Sequence, residues 1–340
     1  MRYPIAIVLL ILFLLPACKP APSLRQRTLY VFGTLVTISA WTADGAGFER
    51  AVDRIDQSFQ RLHREWHAWR GDGRLMRLNR ALAAGESLRV DEDLLALLRL
   101  GQRLYRRSGG LFDPAIGGLI ALWGFHRDEP PAGPPPDPAR IAEWLRAAPN
   151  MGDLRFAGNE VSSVNPRVAL DLGAYAKGYA LRRALDLLRE AGISNAIVNA
   201  GGDLCVSGRR DGRRWRIGVR NPFRPGVIAA LAARDGECIM TSGNYERYRE
   251  YEGVRYAHII DSRTGYPVAH VVSATVIARD GALADAAATA LSVAGPTEWR
   301  RVARDMGISQ ALLVDESGRV MMTGAMARRI GRAREAEEGR

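Results

Sequence analysis

The chain has 340 residues, 47% of them hydrophobic and 25% charged, a balance that can bury a large core and excludes a disordered or low-complexity protein. Its formal net charge of +11 suits an acidic ligand or an anionic membrane surface. The arginines run evenly along the sequence with no basic block interleaved with aromatics, so nucleic acid is not an expected partner.

Met1-Arg2 precedes an apolar run over residues 5–15, too short to span a bilayer as a helix but suited to the core of a signal peptide. The run ends in Leu15-Pro16-Ala17-Cys18, which resembles a bacterial lipobox. Residues 1–17 are therefore expected to be a lipoprotein signal peptide, cleaved before a lipidated Cys18. A plain secretory signal with an incidental cysteine is the alternative. Residues 18–26 then form a tether, 27–326 the folded domain and 327–340 a charged tail, frayed or disordered. The expected location is the bacterial cell envelope, lipid-anchored and facing the periplasm or exterior, with the inner membrane as the surface.

Residues 29–41 predict a strand in which Gly33 marks a bulge or the close approach of a ligand. Helices follow over 48–63 and 91–107, separated by the loop 67–73 that carries Trp69. The glycine-rich apolar segment 111–125 holds one carboxylate, Asp113. Residues 129–137 form a proline-rich surface loop, and Asp137 caps a short helix over 138–147. An apolar run over 161–170 reads as a strand entering the turn Asp171–Gly178, with a helix over 179–191 leaving it. That arrangement aims backbone N–H groups at an anion.

From Asn195 onward strands are predicted over 196–199, 203–207, 215–220, 227–232, 237–241, 254–260, 271–277 and 311–314. Strands spaced so closely favour antiparallel sheet over βαβ winding. Two helices cover 282–294 and 298–305. Cys205 and Cys238 sit in strand-like contexts and are read equally well as a disulfide or as two separate buried thiols. Neither shows zinc-site spacing.

Several residues carry chemistry. Only two of the 48 basic residues are lysines, Lys19 and Lys177, and the second lies in the Asp171–Gly178 turn. An ammonium there is a point charge that burial can tune, unlike the planar guanidinium used elsewhere. Asp285 and Thr289 share a helix face at i,i+4, surrounded by small apolar residues. A carboxylate in such a helix is expected to be buried, and with the hydroxyl it makes a hard-oxygen set suited to Mg²⁺. Thr241-Ser242-Gly243 offers N–H groups to a phosphate, and alternation over 256–261 puts His258 and Asp261 on opposite faces of a strand. No GxGxxG, P-loop or GxSxG sequence is present, against the ordinary dinucleotide, ATP and α/β-hydrolase folds.

Taken in order, these segments form a series. Gly33-Thr34, Leu111-Phe112-Asp113-Pro114, Asp171–Gly178, Asn199-Ala200-Gly201-Gly202-Asp203, Thr241-Ser242-Gly243, His258–Gly265 and Ala284–Thr289 together resemble the ApbE family of FAD:protein FMN transferases. The resemblance spans about residues 27–324. It implies an α+β, T-fold-like architecture of antiparallel sheets and packed helices. It also implies Mg²⁺-dependent transfer of FMN from FAD to a threonine of a partner membrane flavoprotein, with release of AMP. The metal would be held by Asp285, Thr289 and the main-chain oxygen of Ala174. FAD would meet Phe32, Trp69, Leu111, Phe112, Asp113, Asp171, Lys177, Thr241 and His258. His258 is the first candidate for the base that takes the threonine proton, and Asp261 the second. Two positions depart from the family pattern, which usually has methionine at Phe32 and aspartate at Asn244. The alternatives are a Mg²⁺-dependent FAD pyrophosphatase and a non-catalytic flavin-binding lipoprotein. Thr323-Gly324-Ala325 resembles part of an acceptor signature but lacks its following Ser or Thr, and is read as a strand end.

Overall fold

The computed structural model describes residues 21–127, 129 and 132–330; the expected signal peptide, Cys18 and the last ten residues of the tail lie outside them. Eight strands form the main sheet: β1 (Ser23–Val31), β2 (Thr34–Thr42), β3 (Ala196–Ala200), β4 (Asp203–Ser207), β5 (Cys238–Gly243), β6 (Val271–Ala278), β7 (Gln310–Asp315) and β8 (Val320–Met322). They lie side by side in chain order and every neighbouring pair is antiparallel. The sheet is a meander into which the helices are inserted, an α+β fold as the strand spacing requires.

The helices are α1 (Gly45–Glu65), α2 (Arg74–Ala83), α3 (Glu92–Arg107), α4 (Gly117–Trp123), α5 (Pro138–Ala147), α6 (Ala176–Glu190) and α7 (Gly281–Asp305). α1, α6 and α7 send buried stripes such as Phe48, Ile55, Leu181, Leu188 and Leu291 into one large core with the sheet. A hairpin of Arg216–Arg220 and Val227–Ala232 covers the opposite face, where Trp215, Ile217 and Leu231 pack on Val206, Ile239 and Leu312. β6 is buried along nearly its whole length because both of its faces are covered, which explains its continuous apolar run.

The register gives the sheet two distinct ends. Val31 pairs with Thr34, Val36 with Ala200 and Ala200 with Asp203, so the Phe32-Gly33 and Gly201-Gly202 turns share one end. Ser23 pairs with Thr42, Ala40 with Ala196 and Ala196 with Ser207 at the other.

Several expectations change. Residues 29–41 are not one strand with a bulge: Phe32 and Gly33, at φ of 56° and 71°, form the two-residue turn of a hairpin. Such turns need left-handed backbone at both positions, natural for Gly33 and costly for a phenylalanine. The Phe32 ring packs 5.3 Å from Phe59 and 6.0 Å from His63. The run 161–170 supplies a strand only at Glu160–Ser163, since Asn165-Pro166 breaks it. α2 was not legible as a helix, yet its Asn79 brackets Leu170, donating to the Leu170 carbonyl at 2.9 Å and accepting from its N–H at 2.8 Å. The expected helices 282–294 and 298–305 are the two halves of α7, divided at Gly295-Pro296. Cys205 and Cys238 are register partners on β4 and β5 and are joined as a disulfide. The fold also continues past residue 326: Ile330 packs in the second core, and Arg329 forms a buried bidentate pair with Glu237 at 2.8 and 2.6 Å.

α6 and α7 cross where each has a glycine. A Cβ on Gly178 would lie 2.1 Å from the Gly281 carbonyl oxygen, and one on Gly281 would lie 2.2 Å from that of Gly178. Backbone cannot yield as a flexible side chain does, so Gly178→Ala and Gly281→Ala should each destabilise by ~1–3 kcal/mol. Urea unfolding with the disulfide intact measures this, and wild-type midpoints would contradict the close crossing.

Candidate functional site

The turn before α6 is positioned from two sides. A parallel bridge between Ile116 and Ala169, and a bond of 2.8 Å from the Asp171 N–H to the Pro114 carbonyl, lay residues 169–171 against 114–117. This brings Asp113 and Asp171, far apart in sequence, onto neighbouring strands of chain. Asp171 accepts from the Gly173 N–H at 2.7 Å and from the Trp69 indole N–H at 2.8 Å. Trp69 in turn stacks toward His126, with ring centroids 5.4 Å apart. Phe32 reaches this group through aromatic contacts: His63 lies against His67 at 5.5 Å, and His67 accepts from the Trp69 N–H at 3.1 Å.

Asp113 accepts from the N–H groups of Ala115 at 2.9 Å and Met151 at 3.2 Å. Burial nevertheless raises its pKa to about 7 against the pull of those two donors. Leu111 and Phe112 turn their side chains into the core, Phe112 against Tyr175 at 5.3 Å, so only their main chain is available to a ligand.

At the start of α6 one of the first-turn N–H groups that a helix leaves without an internal partner is used: the Gly178 N–H donates to Asp285 Oδ2 at 3.0 Å. Ala174 precedes the N-cap Tyr175, so its carbonyl lies outside the α6 ladder. Asp285 is 6% exposed. Burial and the nearby Asp203 raise its pKa well above the carboxylate range, opposed by Lys177 and the Gly178 N–H. One turn along, Thr289 shares a hydrogen bond of 3.2 Å with Ser242 on β5.

Lys177 points from α6 onto the sheet and pairs with Asp203. Desolvation opposes its charge, but Asp203 and Asp285 outweigh that cost and raise its pKa. Asp203 is 4% exposed, and its other oxygen accepts from the Thr241 N–H at 2.7 Å. The β4–β5 ladder ends at Leu204 and Ile239, so this carboxylate extends the connection where the strands part. The Thr241 hydroxyl bonds that of Thr275 at 2.9 Å. Asp203 and Ser242 lay in segments singled out in the sequence but were not assigned to the site. A lone lysine needing a counter-charge was the signal for Asp203; nothing in the sequence pairs Ser242 with Thr289.

His258 does not lie on a strand; it sits in the bend between Val254–Ala257 and Ile260–Asp261. Its Nδ1 lies 3.0 Å from the Arg247 carbonyl, which also accepts its main-chain N–H at 3.0 Å. Carbonyl oxygen only accepts, so Nδ1 carries the proton and Nε2 the lone pair. Desolvation, helped by the charges of Arg247 and Lys177, lowers its pKa to about 4. Asp261 is differently placed: Arg263 holds both of its oxygens, at 3.0 Å from Nε and 2.8 Å from Nη2.

The model of the ApbE family matches residues 32–313. A Rhodobacter capsulatus protein named FAD:protein FMN transferase is 47% identical over 320 residues, covering 94% of this chain; the chain spans 60% of that relative's length. A Klebsiella pneumoniae protein of the same name is 31% identical, with 88% of each chain covered. Among solved structures, the ApbE protein of Thermotoga maritima superposes with a TM-score of 0.83 at 31% identity, over 91% of this chain and 99% of that one. The Pseudomonas stutzeri flavinyl transferase ApbE in its apo form gives 0.81 at 28% identity, over 91% and 98%. By its sequence and by its fold, the chain belongs to the ApbE family.

Proposed function

We propose that this protein is an FAD:protein FMN transferase that uses Mg²⁺ to move FMN from FAD to a threonine hydroxyl of a partner membrane flavoprotein, releasing AMP. We also take it to be anchored to the envelope membrane through Cys18. No helix among the described residues is long and apolar enough to cross a membrane. The observation that carries the catalytic reading is the buried Asp285 carboxylate, one turn from the Thr289–Ser242 hydroxyl pair and bonded to the Gly178 N–H at the start of α6.

That set fits the metal. A desolvated carboxylate whose proton is held only by burial becomes a strong hard-oxygen ligand once a cation replaces the proton. Asp285, Thr289 and the Ala174 main-chain oxygen would hold Mg²⁺, which when bound neutralises pyrophosphate charge and helps AMP to leave. Lys177 adds a fixed positive charge beside the same site, and Asp203 keeps it protonated and aimed. Asp171 and Trp69 shape the turn against which the ligand lies.

In the reaction, the threonine oxygen bonds to the FMN phosphorus and the bond from that phosphorus to the bridging oxygen breaks, with the oxygen leaving on AMP. The threonine proton goes to His258 Nε2, the nitrogen the tautomer leaves basic. The grip of Arg263 on Asp261 supports His258 over Asp261 in this role. An imidazole with a pKa of about 4 is neutral and ready at neutral pH, though a weak base. The negative pyrophosphate would raise its basicity when bound.

Purified protein, FAD, Mg²⁺ and an acceptor subunit should give a covalently fluorescent acceptor band that chelation abolishes. Steady AMP release without acceptor, and no labelled band, would identify a pyrophosphatase instead. Asp285→Asn should lower Mg²⁺-dependent turnover by on the order of 100-fold or more. The same variant without metal should melt higher than wild type at pH 8. A raised folded-state pKa contributes stability that is lost as pH rises through it, and asparagine has no such loss. Lys177→Arg should reduce kcat/KM at least roughly tenfold with unchanged melting, since a planar fork replaces a point charge. Wild-type turnover would make the lysine incidental. The acid limb of kcat/KM from His258 should fall near pH 4, below the ordinary histidine range, and move upward in kcat, which reports the FAD-bound enzyme. A limb at the ordinary value in both would remove His258 as the base.

A further inference from the structure

The arginines that run evenly along the sequence gather in space at the sheet end opposite the site. β4 ends at Ser207 and leads into a hairpin, Gly208–Trp215, whose tip is Asp211-Gly212. Arg209 and Arg210 precede the tip, Arg213 and Arg214 follow it, and all four are exposed. Main-chain bonds of 2.8 and 2.9 Å between Arg210 and Arg213 hold the hairpin closed. Among the described residues no acidic side chain pairs with any of these four. Arg25, Arg234 and Arg279 are exposed at the same end. Of the acids there, Asp44 and Asp280 cap α1 and α7, Asp235 is held by Arg189 at 2.9 Å, and Asp211 stands exposed at the hairpin tip. The end therefore carries a positive excess: Arg209 donates to the Gly212 carbonyl at 3.1 Å, and among the described residues no carboxylate neutralises the four hairpin guanidiniums.

β1 starts at this same end. Four residues lie between Cys18 and Ser23, and the five Cα–Cα steps span at most ~18 Å even when fully extended. From Ser23 the nine residues of β1 run to the Phe32-Gly33 turn, ~27 Å away, where the site lies. A lipid on Cys18 thus holds the hairpin end near the headgroups and leaves the site end far from them.

We propose that the Gly208–Trp215 hairpin and its neighbouring arginines form a docking face for anionic phospholipid, which orients the anchored protein with its flavin site away from the bilayer. This rests on the lipid-anchor reading for its geometry. Each arginine near an anionic surface adds attraction that salt screens within a Debye length, whereas the lipid anchor itself is insensitive to salt. Facing outward, the site is open to a loop of an acceptor that projects from the membrane.

The test uses the full processed chain on vesicles of phosphatidylcholine with one-third phosphatidylglycerol, carrying headgroup spin labels. A fluorophore is placed by Asp211→Cys at the hairpin tip or by Leu35→Cys at the site end. The native cysteines are occupied, Cys205 with Cys238 and Cys18 by its lipid, so only the introduced thiol reacts. Quenching should be several-fold stronger at position 211 than at 35. It should fall at high salt, on pure phosphatidylcholine, and when Arg209, Arg210, Arg213 and Arg214 are all changed to Gln, a change that weakens the contact by on the order of 1,000-fold. Equal quenching at both positions, stronger quenching at 35, or quenching at 211 indifferent to salt and to the four substitutions would overturn the docking face. The mass of the N-terminal peptide reports the anchor separately: an unlipidated peptide refutes the anchor, while the salt-sensitive quenching at 211 still decides the hairpin.

Discussion

One ammonium faces two carboxylates that have almost no access to water, and much of the site is arranged to make that tolerable. Asp203 and Asp285 repel each other through a medium that screens poorly, and Lys177 lies where it attracts both. Asp203 discharges its share through the Lys177 pair and the Thr241 N–H. Asp285 has one N–H donor, that of Gly178, and retains its proton well above the carboxylate range. The site is electrically unfinished at Asp285 and finished at Asp203. A divalent cation completes the first without disturbing the second.

The fold supplies this arrangement through backbone contacts. Gly178 and Gly281 let α6 and α7 touch, and that contact brings the Gly178 N–H to Asp285. The disulfide ties β4 to β5 two residues beyond Asp203 on one strand and three before Thr241 on the other. It fixes the register from which the Asp203–Thr241 bond extends. Phe32 in a left-handed turn is a further cost, taken at the end of the sheet where the site lies.

The sequence conveyed the chemistry better than its surroundings. Asp285 was legible as a buried carboxylate because the residues around it are nearly all alanine, and Lys177 because arginine serves almost everywhere else. The strands of the second half were legible because turns punctuate them. The hairpin of β1 and β2 was hidden because Phe-Gly is an unusual turn pair and apolar alternation continues across it. α2 was hidden by its arginines, and its Asn79, which holds the approach to Asp171, has no meaning before Leu170 is placed beside it. His258 looked like a strand residue, since alternation cannot show that the chain bends there with the ring turned onto the Arg247 carbonyl. The basic end of the sheet is a matter of register, invisible in a linear count of arginines.

The central claim is that Asp285 gives up a proton when the metal binds. Calorimetric titration of Mg²⁺ into the FAD-bound protein, repeated in buffers of different ionisation enthalpy, counts that proton directly. About one proton should be released per Mg²⁺ near pH 6, fading as pH rises above 8, and none in Asp285→Asn. Mg²⁺ binding with no proton release at pH 6, or the same release in Asp285→Asn, would contradict it.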